Sequence, residues 1–208
     1  MEQKQSKKPG MDPRMTLILM VLVFVVPVGM AIVLHSLGDG YKTATTTNWG
    51  NLVTPVRPIT NFSTTTIDNK KYDRDMMNGV WTMFYIDSAD CNESCFNNLY
   101  TIRQTRLGMG GEKERVQRVM LLVDDGTEQQ LDKITKEHPG MHILRLEKAV
   151  LNEMLKNFEF EGLAAADKAQ RIYFIDPLGN LMMHYESDIS PRGVVKDLER
   201  LLKYSRIG

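Results

Sequence analysis

Two cysteines stand in a chain of 208 residues. That scarcity excludes a disulfide-dense scaffold and a four-cysteine zinc site. Neither sign of charge predominates: 26 Lys and Arg balance 26 Asp and Glu, for a formal net charge of zero. A nucleic-acid binder relying on bulk positive charge is thereby excluded. The sequence also lacks the phosphate-cradling G-x-x-x-x-G-K-[ST], the zinc-protease H-E-x-x-H and the hydrolase G-x-S-x-G. Gly108-Met109-Gly110-Gly111 has no strand before it and reads as loop. Internal repeats and long low-complexity tracts are missing as well. What is present is a globular composition, 42% hydrophobic and 25% charged, with four histidines available for metal or acid–base chemistry.

One long apolar run breaks the average. Met15 to Leu34 carries no charge, and about 20 residues at about 1.5 Å each cross roughly 30 Å of hydrocarbon. A cleaved leader would have a shorter apolar region, about 7–15 residues, and then a small-x-small site. Here His35, Ser36 and Leu37 follow, so an uncleaved signal anchor over residues 15–35 is expected. Lys4, Lys7, Lys8 and Arg14 precede the run, and Lys42 is the first basic residue after it. The excess of positive charge keeps the N-terminal tail, residues 1–14, in the cytoplasm. The rest of the chain then lies outside, in a periplasm rather than a mitochondrial intermembrane space, where disulfides persist.

Residues 36–58, with Gly38, Gly40, a threonine cluster, Pro55 and Pro58, read as a linker to a domain over 59–208. Phe62 to Ile67 and the segment around Lys71 and Tyr72 form a hairpin signal turning at Asp68-Asn69. Val80 to Ile86 and Val119 to Val123 are apolar runs of the kind that make buried strands, and Met141 to Leu146 a third strand. Helices are expected from Cys95 to about Leu107, from Thr127-Glu128 to His138, from Lys148 to Phe158, and from Gly193 to Tyr204 with Pro191 near its start. Arg171–Ile175 and Leu181–Tyr185 flank the turn Asp176-Pro177-Leu178-Gly179-Asn180. Alternating strands and helices followed by a hairpin predict an α/β fold: a thioredoxin-like mixed sheet flanked by helices, preceded by one transmembrane helix.

Cys91-Asn92-Glu93-Ser94-Cys95 follows the strongest strand signal and opens a helix. Residues i and i+4 share a helix face, so a loosened first turn lets the two sulfurs bond to each other or clamp one soft ion. A helix N-terminus favours thiolate, whereas Asp90 and Glu93 oppose it. The cysteines are therefore the candidate redox pair and the candidate ligands of a soft metal ion. An inert structural disulfide is the alternative.

With an anchor, an outer thioredoxin-like domain and C-x-x-x-C after a strand, the chain resembles the SCO/SenC proteins, copper-binding factors of cytochrome c oxidase assembly. Phe62, Asp68 and Lys70, the run Met83–Ile86, Val123-Asp124 with Thr127 and Leu131, and Tyr173 to Gly179 carry the resemblance. It implies Cu(I) at Cys91 and Cys95, and as partner a cytochrome c oxidase subunit or another assembly factor. Where the family has proline, this chain has Asn92 and Phe96; where the family has its ligand histidine, it has Lys168, which as an ammonium has no lone pair for copper. His184, expected opposite Ile172 at the same sheet end, is the candidate replacement ligand. His138 and His142 fall at the opposite sheet end. Most of the 14 methionines, including Met76-Met77 and Met182-Met183, read as packing. The expected function is assistance to cytochrome c oxidase assembly by thiol redox or Cu(I) handling. A general periplasmic thiol–disulfide oxidoreductase and a non-catalytic assembly scaffold are the alternatives.

Overall fold

The computed structural model describes residues 12–36 and 47–205. Lys4, Lys7, Lys8, Lys42 and residues 37–46 of the expected linker lie outside them. The chain divides into two units, residues 1–47 and 48–208.

In the first unit, α1 spans Pro13–Ser36 and is apolar on all sides, with Pro27 inside it. The stretch Pro13–Val33 is long and apolar enough to cross a membrane and buries none of its length against protein.

The second unit runs β1 (Asn51–Pro58), β2 (Ser63–Thr65), β3 (Lys71–Asp73), β4 (Trp81–Asp87), α2 (Glu93–Gly108), β5 (Val116–Leu122), α3 (Glu128–Glu137), β6 (His142–Arg145), α4 (Lys148–Leu155), β7 (Ile172–Ile175), β8 (Asn180–Tyr185) and α5 (Pro191–Tyr204). Six strands form one sheet in the order β1-β8-β7-β4-β5-β6. β4, β5 and β6 are parallel, while β7, β8 and β1 join antiparallel. The small β2–β3 hairpin covers the β6 edge through a Thr66–Leu144 bridge.

Local chemistry explains the element boundaries. Thr127 and Gln130 make a reciprocal capping box that opens α3. Asp176 Oδ1 accepts from the amides of Leu178 and Asn180, at 2.9 and 2.8 Å, and so closes the β7–β8 turn. β4 is buried along its whole length, as a strand covered on both faces must be. Its odd-numbered residues Trp81, Met83 and Tyr85 pack with Leu99 and Ile102 of α2, Ile134 of α3 and Val194 and Leu198 of α5. Its even-numbered Phe84 and Ile86 pack on the other face with Leu151 and Met154 of α4, Phe158, and Phe62 and Tyr72 of the hairpin.

Two expectations are corrected. Part of the linker is strand: the folded unit begins near Asn48, and Asn51–Pro58 pairs with β8. Prolines disguise it, because Pro55 and Pro58 cannot donate to a ladder, but β1 is the outermost strand, where proline is tolerated. Val53 and the following Ile59 are buried. The second correction concerns register. Ile175 faces Leu181, but Phe174 faces Met183, so one extra residue enters β8 between them. His184 consequently opposes Tyr173 and not Ile172. A one-residue slip moves every later side chain to the other face of the sheet.

Candidate functional site

β4 ends at Asp87, and the chain turns through Ser88, Ala89 and Asp90 to Cys91 before α2 begins. Asn92 is the N-cap of α2: its backbone is extended, and its Oδ1 accepts from the Cys95 amide at 2.9 Å. Cys91 therefore stands one residue outside the cap, not on the helix face with Cys95. The extended cap residue brings the two Cα atoms to 5.2 Å, and a disulfide joins the sulfurs. The two ends of that bond differ. Cys91 is half-buried at the surface, whereas Cys95 is fully buried in the core facing α2 and α5.

Beneath the disulfide lies a buried polar network that sequence reasoning missed. Asp87, 7% exposed, accepts at Oδ2 from the Tyr85 hydroxyl (2.7 Å) and from Gln170 Nε2 (3.0 Å), and at Oδ1 from the Ser88 amide (2.8 Å). Gln170 Nε2 also donates to Asn92 Oδ1 at 3.1 Å. Asn98 is fully buried, one turn after Cys95; its Nδ2 donates to the Gln170 carbonyl (2.9 Å) and its Oδ1 accepts from the Asp188 amide (3.2 Å). Ser94 and Ser187 hydroxyls meet at 2.7 Å. Burial, and then the Asp87 carboxylate, push the Tyr85 hydroxyl well above the usual tyrosine range, so it remains a donor. An asparagine among the apolar positions Leu99 and Ile102 was the one signal that pointed here. Gln170 and Asp87 carried none.

Of the sequence-derived candidates, the fold brings together only Cys91 and Cys95. His184 lies on the other face, tilted by 34° against the Phe160 ring with centroids 4.5 Å apart, its Nδ1 3.4 Å from Glu186 Oε1. Burial lowers its pKa. Lys168 is exposed in the turn before β7, and the residue of that segment that reaches the cysteine loop is Gln170. His142 starts β6 against the Tyr72 ring, and His138 follows α3, both at the far sheet end as expected. Met77 and Met183 are core residues. Among the described residues no group of three His, Cys, Asp or Glu side chains is placed to hold a metal ion. Copper would meet the two sulfurs of Cys91 and Cys95, with His138, His142 and His184 all placed elsewhere. That set fits Cu(I) by its thiolates and offers Cu(II) no imidazole.

Solved structures share the fold. Copper-bound ScoI of Bradyrhizobium japonicum superposes with a TM-score of 0.57 at 18% identity, over 69% of this chain and 98% of that one. BsSco, a member of the Sco family of cytochrome c oxidase assembly proteins in which a disulfide switch was identified, gives 0.57 at 16% identity, over 74% and 99%. The thioredoxin domain of a thiol–disulfide oxidoreductase from Bacteroides vulgatus gives 0.52 at 12%, over 69% and 94%. No curated protein sequence matches the chain significantly. The model of the transmembrane-like, thioredoxin-like, C-terminal domain family matches residues 81–205, from the first residue of β4 to the end of α5 and the cysteine pair with it. A match over more than half of the chain, on a fold with these layers and this strand order, makes the chain a member of that thioredoxin-like family.

Proposed function

We propose that this chain is a membrane-anchored thiol–disulfide protein whose Cys91–Cys95 pair serves the assembly of the copper site of cytochrome c oxidase. One observation carries the reading: a half-exposed Cys91 bonded to a buried Cys95 at the C-terminal edge of a central strand and the N-terminus of a helix. Such an edge is where open α/β sheets place their chemistry, and the helix terminus stabilises the thiolate that leaves.

The exchange balances without a further reactant. A thiolate of a client dithiol attacks Cys91 Sγ, the accessible sulfur, and Cys95 leaves as thiolate. The second client thiol, deprotonated, attacks the client sulfur of the mixed disulfide and releases Cys91. Two electrons pass to the pair and two protons follow, leaving a client disulfide and a Cys91–Cys95 dithiol; the reverse reaction reduces a client. In the dithiol form the two sulfurs also suit Cu(I) as cargo, since a soft d¹⁰ ion accepts thiolate ligands. Sco proteins of the same fold support this role, one with copper bound and another with a disulfide switch. The basic residues before α1 support an outward-facing domain. A reporter fused after Gly208 is expected to be active outside the cytoplasm; activity inside it would overturn that topology.

Titration of the intact chain against glutathione buffers tests the exchange. A reduction potential above about −300 mV is expected, and a lower one would make the disulfide structural. A second reading, a general oxidoreductase, is favoured by the missing imidazole beside the sulfurs. Mass spectrometry of the reduced chain offered Cu(I) separates the two: one ion per chain supports the assembly role, none supports the general one.

A further inference from the structure

We infer that Gln170 is a positioning residue for the Cys91–Cys95 pair, bridging the buried Asp87 carboxylate to the cap of α2 and holding the two sulfurs in bonding register. The inference rests on the thiol–disulfide reading above. Gln170 sits two residues before β7, with its backbone at φ +48, a left-handed conformation that an L side chain other than asparagine or aspartate rarely adopts. Glycine is the residue such a position favours. A glutamine held there by its surroundings marks a site where strain is maintained for a purpose.

The surroundings identify the purpose. One nitrogen, Gln170 Nε2, donates to Asp87 Oδ2 at 3.0 Å and to Asn92 Oδ1 at 3.1 Å. Asn92 Oδ1 is the same atom that accepts from the Cys95 amide. Gln170 and Cys95 thus fix one oxygen from two sides, and residue 92 is the neighbour of Cys91. From behind, the Gln170 carbonyl is held by buried Asn98, and the next residue, Arg171, is locked by Glu186 (3.0 Å) and by the Ala164 carbonyl (3.1 Å). The amide is pinned by its own backbone and reaches across 78 residues of sequence to the cysteine loop. A loop held in register raises the effective concentration of one thiol at the other. Releasing it lets the dithiol relax and makes the disulfide harder to close.

The test is the reduction potential of the intact chain, carried on an anchor-preserving detergent preparation, for Gln170→Gly, Gln170→Ala and Gln170→Glu. Gln170→Gly removes the backbone strain, so a merely architectural residue would leave the potential in place and make the oxidised protein more resistant to denaturant. Gln170→Glu keeps the shape and removes both N–H donors. A tenfold weakening of disulfide closure, a rise of about 30 mV in potential, is expected in all three. An unmoved or lowered potential in Gln170→Gly and Gln170→Glu overturns the inference. The wild-type potential is read in the same titration, extended with stronger dithiol buffers. A wild-type value below −300 mV would refute the exchange function while the Gln170 shift is still measured, so the two ideas fail separately.

Discussion

The two ends of the layer formed by β4, β5 and α2 treat buried polar groups in opposite ways. At the cysteine end, Asp87, Tyr85, Asn98 and Gln170 bond to one another and to the cap of α2. At the far end, Arg118 and His138 are each 5% exposed. Arg118 donates to the Pro139 carbonyl, but its Nε and both ring nitrogens of His138 have no hydrogen-bond partner among the described residues. Burial, followed by the charges of Arg106 and Arg103, lowers the Arg118 pKa to about 10, and burial, then Arg118, lowers that of His138. Hydrogen bonds fix the polar groups beside the sulfurs, whereas packing holds the unbonded His138 ring and Arg118 Nε.

The sharpest way to break this contrast is at the sulfurs. Cys91→Ser combined with Cys95→Ser is expected to abolish both thiol exchange and Cu(I) binding, and to cost about 2 kcal/mol of stability from the short loop released. Residual Cu(I) binding by mass spectrometry would place the cargo elsewhere. His184→Ala, by contrast, is expected to leave copper binding unchanged, because the β8 bulge puts that ring on the other face.

Asn98→Leu comes next. It strands the Gln170 carbonyl and the Asp188 amide in a buried site, so a loss of about 3 kcal/mol in urea unfolding is expected. A loss under about 1 kcal/mol would show that the network at the cysteine end is no more demanding than the far end.

Acid gives a smaller effect. Burial holds His138, His142 and His184 below their ordinary pKa. The unfolded chain takes up these protons near pH 6.5 while the folded chain does not. Their contribution to stability is therefore complete above that pH and is lost as pH falls through and below it, with a slope of at most about 1.4 kcal/mol per pH unit for each ring. Urea midpoints that do not decline between pH 7 and pH 5 would contradict this. The smallest change belongs to His138→Leu. Replacing an unbonded buried ring by an apolar side chain is expected to be neutral or to stabilise by about 1 kcal/mol, and to flatten the acid decline.

Much of this protein is written in short windows of its sequence. The uncharged run that makes α1, the helix start at Thr127-Glu128, the Asp176 turn and the cysteine spacing each act within one continuous stretch of chain, so local preference and local hydrogen bonding were sufficient to read them. Three features were decided only by packing. The proline-bearing Asn51–Pro58 became a strand because β8 offered an edge. One extra residue in β8 turned His184 away from the sulfurs, a choice between two registers that hydrophobic pattern alone leaves degenerate. Gln170 met Asp87 and Asn92 because β7 lies antiparallel beside β4. The sequence by itself determined that the two sulfurs meet, since a pair spanning five residues is a local fact. Only the tertiary structure decided what surrounds them, because the neighbours come from strands about eighty residues apart, and their meeting depends on the whole sheet closing in one register.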